Sequence, residues 1–131
     1  AKFTTRELRE LGDLPGVALH VSTGDLQLGH ACRAELEHPS SDQAKRNIAT
    51  LGEWATRERV TDAQRELHLQ FRLLPEAMER DADGQSFLVL RRTRLGGEPF
   101  AQQLALTDEC VRLRCDLLGR GFRLVVGIVH G

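Results

Sequence analysis

The chain reads as α/β, with helices followed by a mainly antiparallel β section. Two observations predict this. Capping signals and apolar stripes at helical spacing occupy the first part, and from Leu67 onward the apolar residues alternate with period two between turn-forming clusters.

Thr4-Thr5-Arg6-Glu7 has capping-box spacing, so the Thr4 hydroxyl meets the Glu7 amide while the Glu7 carboxylate reaches back to the cap. A short helix over about residues 5–11 follows. Leu8 and Leu11 share a face, Gly12 supplies a C-terminal stop, and Pro15-Gly16 turns the chain. Val17, Leu19 and Val21 alternate with Ala18 and His20, which predicts a strand closed by Ser22-Thr23-Gly24-Asp25. Between Asp25 and Pro39 a weak helical pattern runs through Leu26, Ala31, Ala34 and Leu36. A better helix is expected over about residues 41–57, with Ser40-Ser41-Asp42 offering caps, Ala44, Ile48, Leu51 and Ala55 in one stripe, and Trp54 beside it.

Leu67, Leu69, Phe71 and Leu73 form an alternating strand that Pro75 interrupts. Asp81-Ala82-Asp83-Gly84 is a turn before a strand from Phe87 to Leu90, and Gly96-Gly97-Glu98-Pro99 is another break. A strand around Gln102 to Leu106 and a further one beginning with Val111, Leu113 and Cys115 complete the series. Leu124 to Val129 is almost wholly apolar and reads either as a buried strand or as an exposed tail.

With 131 residues the chain fits one domain that needs no disulfide or structural metal to fold. A net charge of −1 gives no electrostatic footprint for nucleic acid or an anionic membrane. No spanning helix or signal-peptide core is visible, so a cytoplasmic location is expected. Cys32, Cys110 and Cys115 are odd in number without metal-ligand spacing, and are expected as buried reduced thiols. His20, His30, His38, His68 and His130 are scattered, with no pair at the helical spacing typical of metal ligands, so no metal site is expected. Glu79, Asp81 and Asp83 surround a turn and lack a calcium-loop pattern, and no Ser or Cys has a recognisable His and carboxylate partnership. No catalytic residue is assigned.

Phe3-Thr4-Thr5-Arg6-Glu7-Leu8-Arg9-Glu10-Leu11 followed by Leu14-Pro15-Gly16 resembles the adrenodoxin reductase-like family of ferredoxin-NADP(+) reductases. A helix like Gln43 to Ala55 recurs in that family at similar distance, and Leu67 to Glu76 is similar to its aromatic-rich strand ending in Ser-Pro, with Leu74 here in place of Ser. Asp116 to Arg123 only approximates the family's strand and Gly-Tyr-Arg element, after which the match fails. The resemblance implies a partial Rossmann-like NADPH-domain half over residues 1–118, followed by a divergent tail over 119–131.

The family implies an enzyme that passes a hydride from NADPH to FAD and then single electrons to a ferredoxin-type iron-sulfur protein. A dinucleotide site needs a Gly-rich strand-to-helix turn, and no G-x-G-x-x-G/A motif is present; Gly119-Arg120-Gly121 has only its first spacing. The family's paired Arg residues for the NADPH 2′-phosphate would precede Ala1. Glu7 matches the Glu that approaches the NADPH adenosine ribose, against the alternative that it only closes the capping box. Arg6 and Lys2 stand where a 2′-phosphate would attract them, or are simply solvated, and Arg91, Arg92 and Arg94 either steer an acidic ferredoxin or line a charged strand face.

The leading expectation is therefore a reductase fragment, inactive and binding neither cofactor tightly by itself. A stand-alone small-molecule-binding or regulatory domain is the alternative, because Phe87 to Phe100 also loosely resembles strands in ligand-sensing domains of bacterial transcription regulators. The apolar ending leaves a third reading open, truncation or a changed reading frame.

Overall fold

A computed structural model describes residues 3–58, 62–63, 65–115 and the backbone of 123–128. Three helices, α1 (Thr5–Gly12), α2 (His30–Glu37) and α3 (Asp42–Thr56), accompany six strands, β1 (Val17–Val21), β2 (Arg65–Phe71), β3 (Leu73–Arg80), β4 (Ser86–Gly96), β5 (Gln103–Cys115) and β6 (Arg123–Ile128). The strands form two sheets, a parallel one in the order β1-β2-β6 and an antiparallel one in the order β3-β4-β5.

The core follows from alternation along the parallel strands. Val21, Leu67 and Leu69 point to the face on which α1 and α3 lie, where they join Leu8, Leu51 and Trp54, and Val17, Leu19, Leu11 and Phe3 pack around them. The buried side of α3 also carries Asn47 and Thr50, each one position before Ile48 and Leu51 of the expected apolar stripe. Asn47 is there for a reason: its Nδ2 donates to the Phe3 carbonyl at 2.9 Å, and Gln43 Nε2 donates to the same oxygen, tying the entry of α1 to α3.

Several local expectations change. Gly12 is the last residue of α1 rather than a left-handed cap, and a Cβ built on it would lie 2.5 Å from Cζ2 of Trp54. Its missing side chain serves helix packing. The weak pattern before Pro39 resolves into a 3₁₀ turn (Gly24–Leu26) and the two-turn α2, and a second 3₁₀ turn (Pro39–Ser41) leads into α3. Ser41 is the N-cap of α3 but makes no side-chain cap bond; its hydroxyl donates to the Glu35 carbonyl instead.

Arg72, at φ 57°, turns the chain out of β2 into β3 and so from one sheet to the other. Its carbonyl accepts from the Thr93 amide at 2.7 Å, and its Nη2 donates to the Gly24 carbonyl at 2.9 Å. Pro75 does not end a strand: β3 runs through it with a register shift between Pro75 and Ala77. The two strands expected between Gln102 and Cys115 are one continuous β5, and the polar Thr107-Asp108-Glu109 segment is an irregularity opposite Arg92. Thr107 Oγ1 donates to the Arg92 carbonyl there, and Glu109 pairs with its guanidinium at 3.1 Å.

The apolar ending is paired. Its β6 runs parallel to β2 at one edge of the sheet, with Leu67 opposite Leu124 and Leu69 opposite Val126, so the backbone of this ending is paired along that side. Lys2, His130 and the Gly119-Arg120-Gly121 turn lie outside the described residues.

Candidate functional site

The α1 N-terminus is built as its spacing predicts. Both the Thr4 amide and the Thr4 hydroxyl donate to Glu7 Oε2, at 2.8 and 2.9 Å, and the Glu7 amide donates to Thr4 Oγ1 at 3.2 Å. The Thr4 amide and then the hydroxyl hold the Glu7 carboxyl below its ordinary value. All of these bonds to the carboxylate fall on Oε2, so capping is the contact that the structure assigns to Glu7. Arg6 pairs with Glu10 one turn along, at 3.0 Å, and both side chains are exposed.

A folded-state value depressed below 4.5 stabilises the fold above that pH, and the contribution fades as pH falls through the depressed value. Thr4→Ala is expected to cost about 1 kcal/mol near neutrality. Urea titrations of both proteins from pH 7 downward should show the gap narrowing in acid.

No two histidines share the helical spacing of metal ligands, yet the parallel sheet brings two of them together. His20 of β1 and His68 of β2 are register partners on adjacent parallel strands, and their rings stack with centroids 4.5 Å apart. Glu66, two residues before His68 and hence on the same face, lies 3.0 Å from His68 Nε2 and 3.6 Å from His20 Nε2. The sequence separation of the two histidines hides this pair, and only the β1–β2 register reveals it.

The basic group on β4 is largely spoken for. Arg91 makes a two-point contact with Glu76 at 3.0 and 3.1 Å, which pushes its guanidinium further up from an already high value. Arg92 bridges Asp25 and Glu109, and Asp25 in turn accepts from the Phe71 amide, fastening the antiparallel sheet to the loop after β1. Arg94 alone of the three is exposed and lines a cavity of about 640 Å³ between α2, α3 and β4–β5, together with Leu36, Ile48, Leu95, Phe100 and Leu104.

Other sequence readings are placed simply. Trp54 is a core residue. Asp81 Oδ1 accepts the amides of Asp83 and Gln85 in the β3–β4 turn, where Gly84 has φ 79°. Glu79 pairs with Arg112. All three cysteines are free thiols as expected, but Cys110 on β5 is exposed, and Cys115 at the end of β5 and Cys32 on α2 are only half-buried.

The described residues do not form a dinucleotide phosphate cradle. After β1 the chain enters a 3₁₀ turn rather than the first turn of a long helix, and Gly24 sits in a single tight turn instead of a glycine-rich loop. No step of a hydride transfer is therefore derived from these residues. Among the described residues, no helix is long and apolar enough to cross a membrane.

No protein-family model matches the chain, and no curated relative does. Solved structures do match. Mycobacterium tuberculosis FprA in complex with NADPH is 28% identical with a TM-score of 0.70, over 98% of this chain and 26% of FprA. A second structure describes FprA as a Mycobacterium tuberculosis oxidoreductase with a covalently modified NADP+, at the same 28% identity and TM-score of 0.70. A point mutant of FprA matches at 27% identity and a TM-score of 0.68. This chain thus spans about a quarter of the length of the FprA chains, 26% in each. The mixed α/β architecture, helices followed by an antiparallel sheet, matches part of a reductase's NADPH-domain fold, and its structural neighbours are NADPH-binding oxidoreductases.

Proposed function

We propose that this chain corresponds to the distal half of the NADPH domain of an FAD-dependent NADPH:ferredoxin oxidoreductase of the adrenodoxin reductase-like type. The observation that carries the reading is the likeness to NADPH-bound FprA across 98% of the chain. The ordered Phe3 to Gly16 and Gln43 to Ala55 landmarks support it independently, because the first forms α1 with its capping box and the second falls within α3.

In the whole enzyme, NADPH would deliver a hydride to FAD, and electrons would pass singly to a ferredoxin-type iron-sulfur protein. Residues 1–118 supply the NADPH-domain half, with 119–131 as a divergent ending, and the protein works in the cytoplasm. Glu7 would offer its carboxylate to the adenosine ribose at the N-terminus of α1. The phosphate cradle and the flavin site would come from other parts of such an enzyme, so the chain alone binds neither cofactor tightly and is inactive. Purified chain should give no NADPH-dependent ferredoxin reduction when supplied with FAD. Retained FAD together with turnover would overturn that statement.

The 640 Å³ cavity favours a second reading, a stand-alone domain that binds a small metabolite without catalysis. Its walls are largely apolar, with Arg94 near one side. Thermal stabilisation by small metabolites but not by NADPH would select this reading, since a ligand of the native state raises the melting temperature.

A further inference from the structure

We propose that His20, Glu66 and His68 form a binding site for one divalent first-row transition cation, of the Zn2+ type. The site lies on the face of the parallel sheet opposite α1 and α3, because Ala18, His20, Glu66 and His68 alternate with the core residues of β1 and β2.

Three features of the geometry carry the assignment. The donor atoms of the three residues all lie within 4.8 Å of one another, and the carboxylate oxygens sit 3.0 and 3.6 Å from the two imidazole Nε2 atoms. A tetrahedral cation with bonds of about 2.1 Å separates its ligands by about 3.4 Å, close to the two imidazole–carboxylate distances. The backbone sets that proximity: His20 and His68 are register partners on adjacent parallel strands, and a modest turn of the imidazoles out of their stack aims both Nε2 atoms at one ion. Finally, His20 Nε2 is shielded from solvent without a hydrogen-bond partner, and a metal ion would satisfy it.

Donor chemistry narrows the ion. Two imidazoles and one carboxylate suit Zn2+, Co2+, Ni2+ or Cu2+, whereas Ca2+ and Mg2+ take sets dominated by oxygen. Three protein ligands leave a fourth tetrahedral position for water, and the half-exposed Glu66 side chain marks the side from which the ion enters. Among the described residues this is the one place where three such ligands converge.

Calorimetric titration of the untagged 131-residue chain with Zn2+ tests the site. Saturable 1:1 binding is expected, weakened at least about tenfold by His20→Gln and by His68→Gln but unchanged by His38→Gln, which alters a histidine on another element. Urea midpoints of the metal-free variants separate loss of a ligand from loss of fold. Long-range 1H–15N spectra of the unmodified chain need no variant, and Zn2+ should shift the Nε2 resonances of His20 and His68. Absence of stoichiometric binding, an affinity in both glutamine variants unchanged from that of the unmodified chain, or shifts confined to His30 and His38 would overturn the proposal and leave a hydrogen-bonded imidazole–carboxylate cluster. The site rests on sheet register, so it stands or falls separately from the reductase reading.

Discussion

Leu69→Ala should destabilise the chain by about 2–5 kcal/mol, which lowers the folding equilibrium constant roughly thirtyfold to several-thousandfold. Leu69 is 1% exposed in the middle of β2, the strand that holds both β1 and β6. Its side chain shares a cluster with Leu8 of α1 and with Leu51 and Trp54 of α3, so truncation removes contacts to both helices at once. Closely packed neighbours on a sheet cannot collapse far into the void, and this places the cost above that of simple transfer. With a urea slope near 2 kcal/mol/M, the midpoint should fall by about 1–2.5 M. The truncation Met78→Ala on β3, where the side chain is 66% exposed, should change stability by no more than about 0.5 kcal/mol.

The second large effect concerns two glycines that helix propensity alone treats alike. Replacing either by Ala inside a helix is ordinarily worth about 0.5–1 kcal/mol in favour of the helix. Gly52, within α3, has nothing within 4 Å of an added Cβ, so Gly52→Ala should stabilise by that amount. At Gly12 the added carbon would meet Cζ2 and Cε2 of Trp54 at 2.5 and 3.0 Å, and those atoms belong to the ring of a residue that is 5% exposed. The ring has no free end to swing aside, so Gly12→Ala should instead cost about 1–3 kcal/mol through overpacking. Trp54 is the chain's single tryptophan, so its fluorescence reports the displacement directly. Opposite signs for the two substitutions are the expected result; stabilisation by both would mean that α1 does not pack on α3 as described.

Local signals carried much of this fold into view. Thr4 and Glu7 form their capping box because both partners lie within one turn, and Val17–Val21 and Asp42–Thr56 fall where periodicity puts them. What escaped depends on partners distant in sequence. The parallel pairing of β1 with β2 brings together His20 and His68, and no local pattern encodes a register across the intervening helices. Thr107-Asp108-Glu109 resembles a turn by composition, yet Arg92 across the ladder accommodates it as an irregularity within β5. Arg72 adopts a left-handed backbone that its residue type does not advertise, held there by Thr93 and Gly24.

The same distinction applies to Glu7. Its structural role was readable from spacing, while the proposed ribose contact rests on the family resemblance. The capping box and a ribose contact are compatible because the helix-capping bonds engage Oε2.

The reductase proposal is tested most directly by transplantation: the matching segment of Mycobacterium tuberculosis FprA, 26% of that chain, is replaced by this one and NADPH oxidation is measured with an artificial electron acceptor. The chimera is expected to melt cooperatively and to oxidise NADPH, while this chain alone does not. A chimera that folds cooperatively but neither binds nor oxidises NADPH would contradict the reductase proposal.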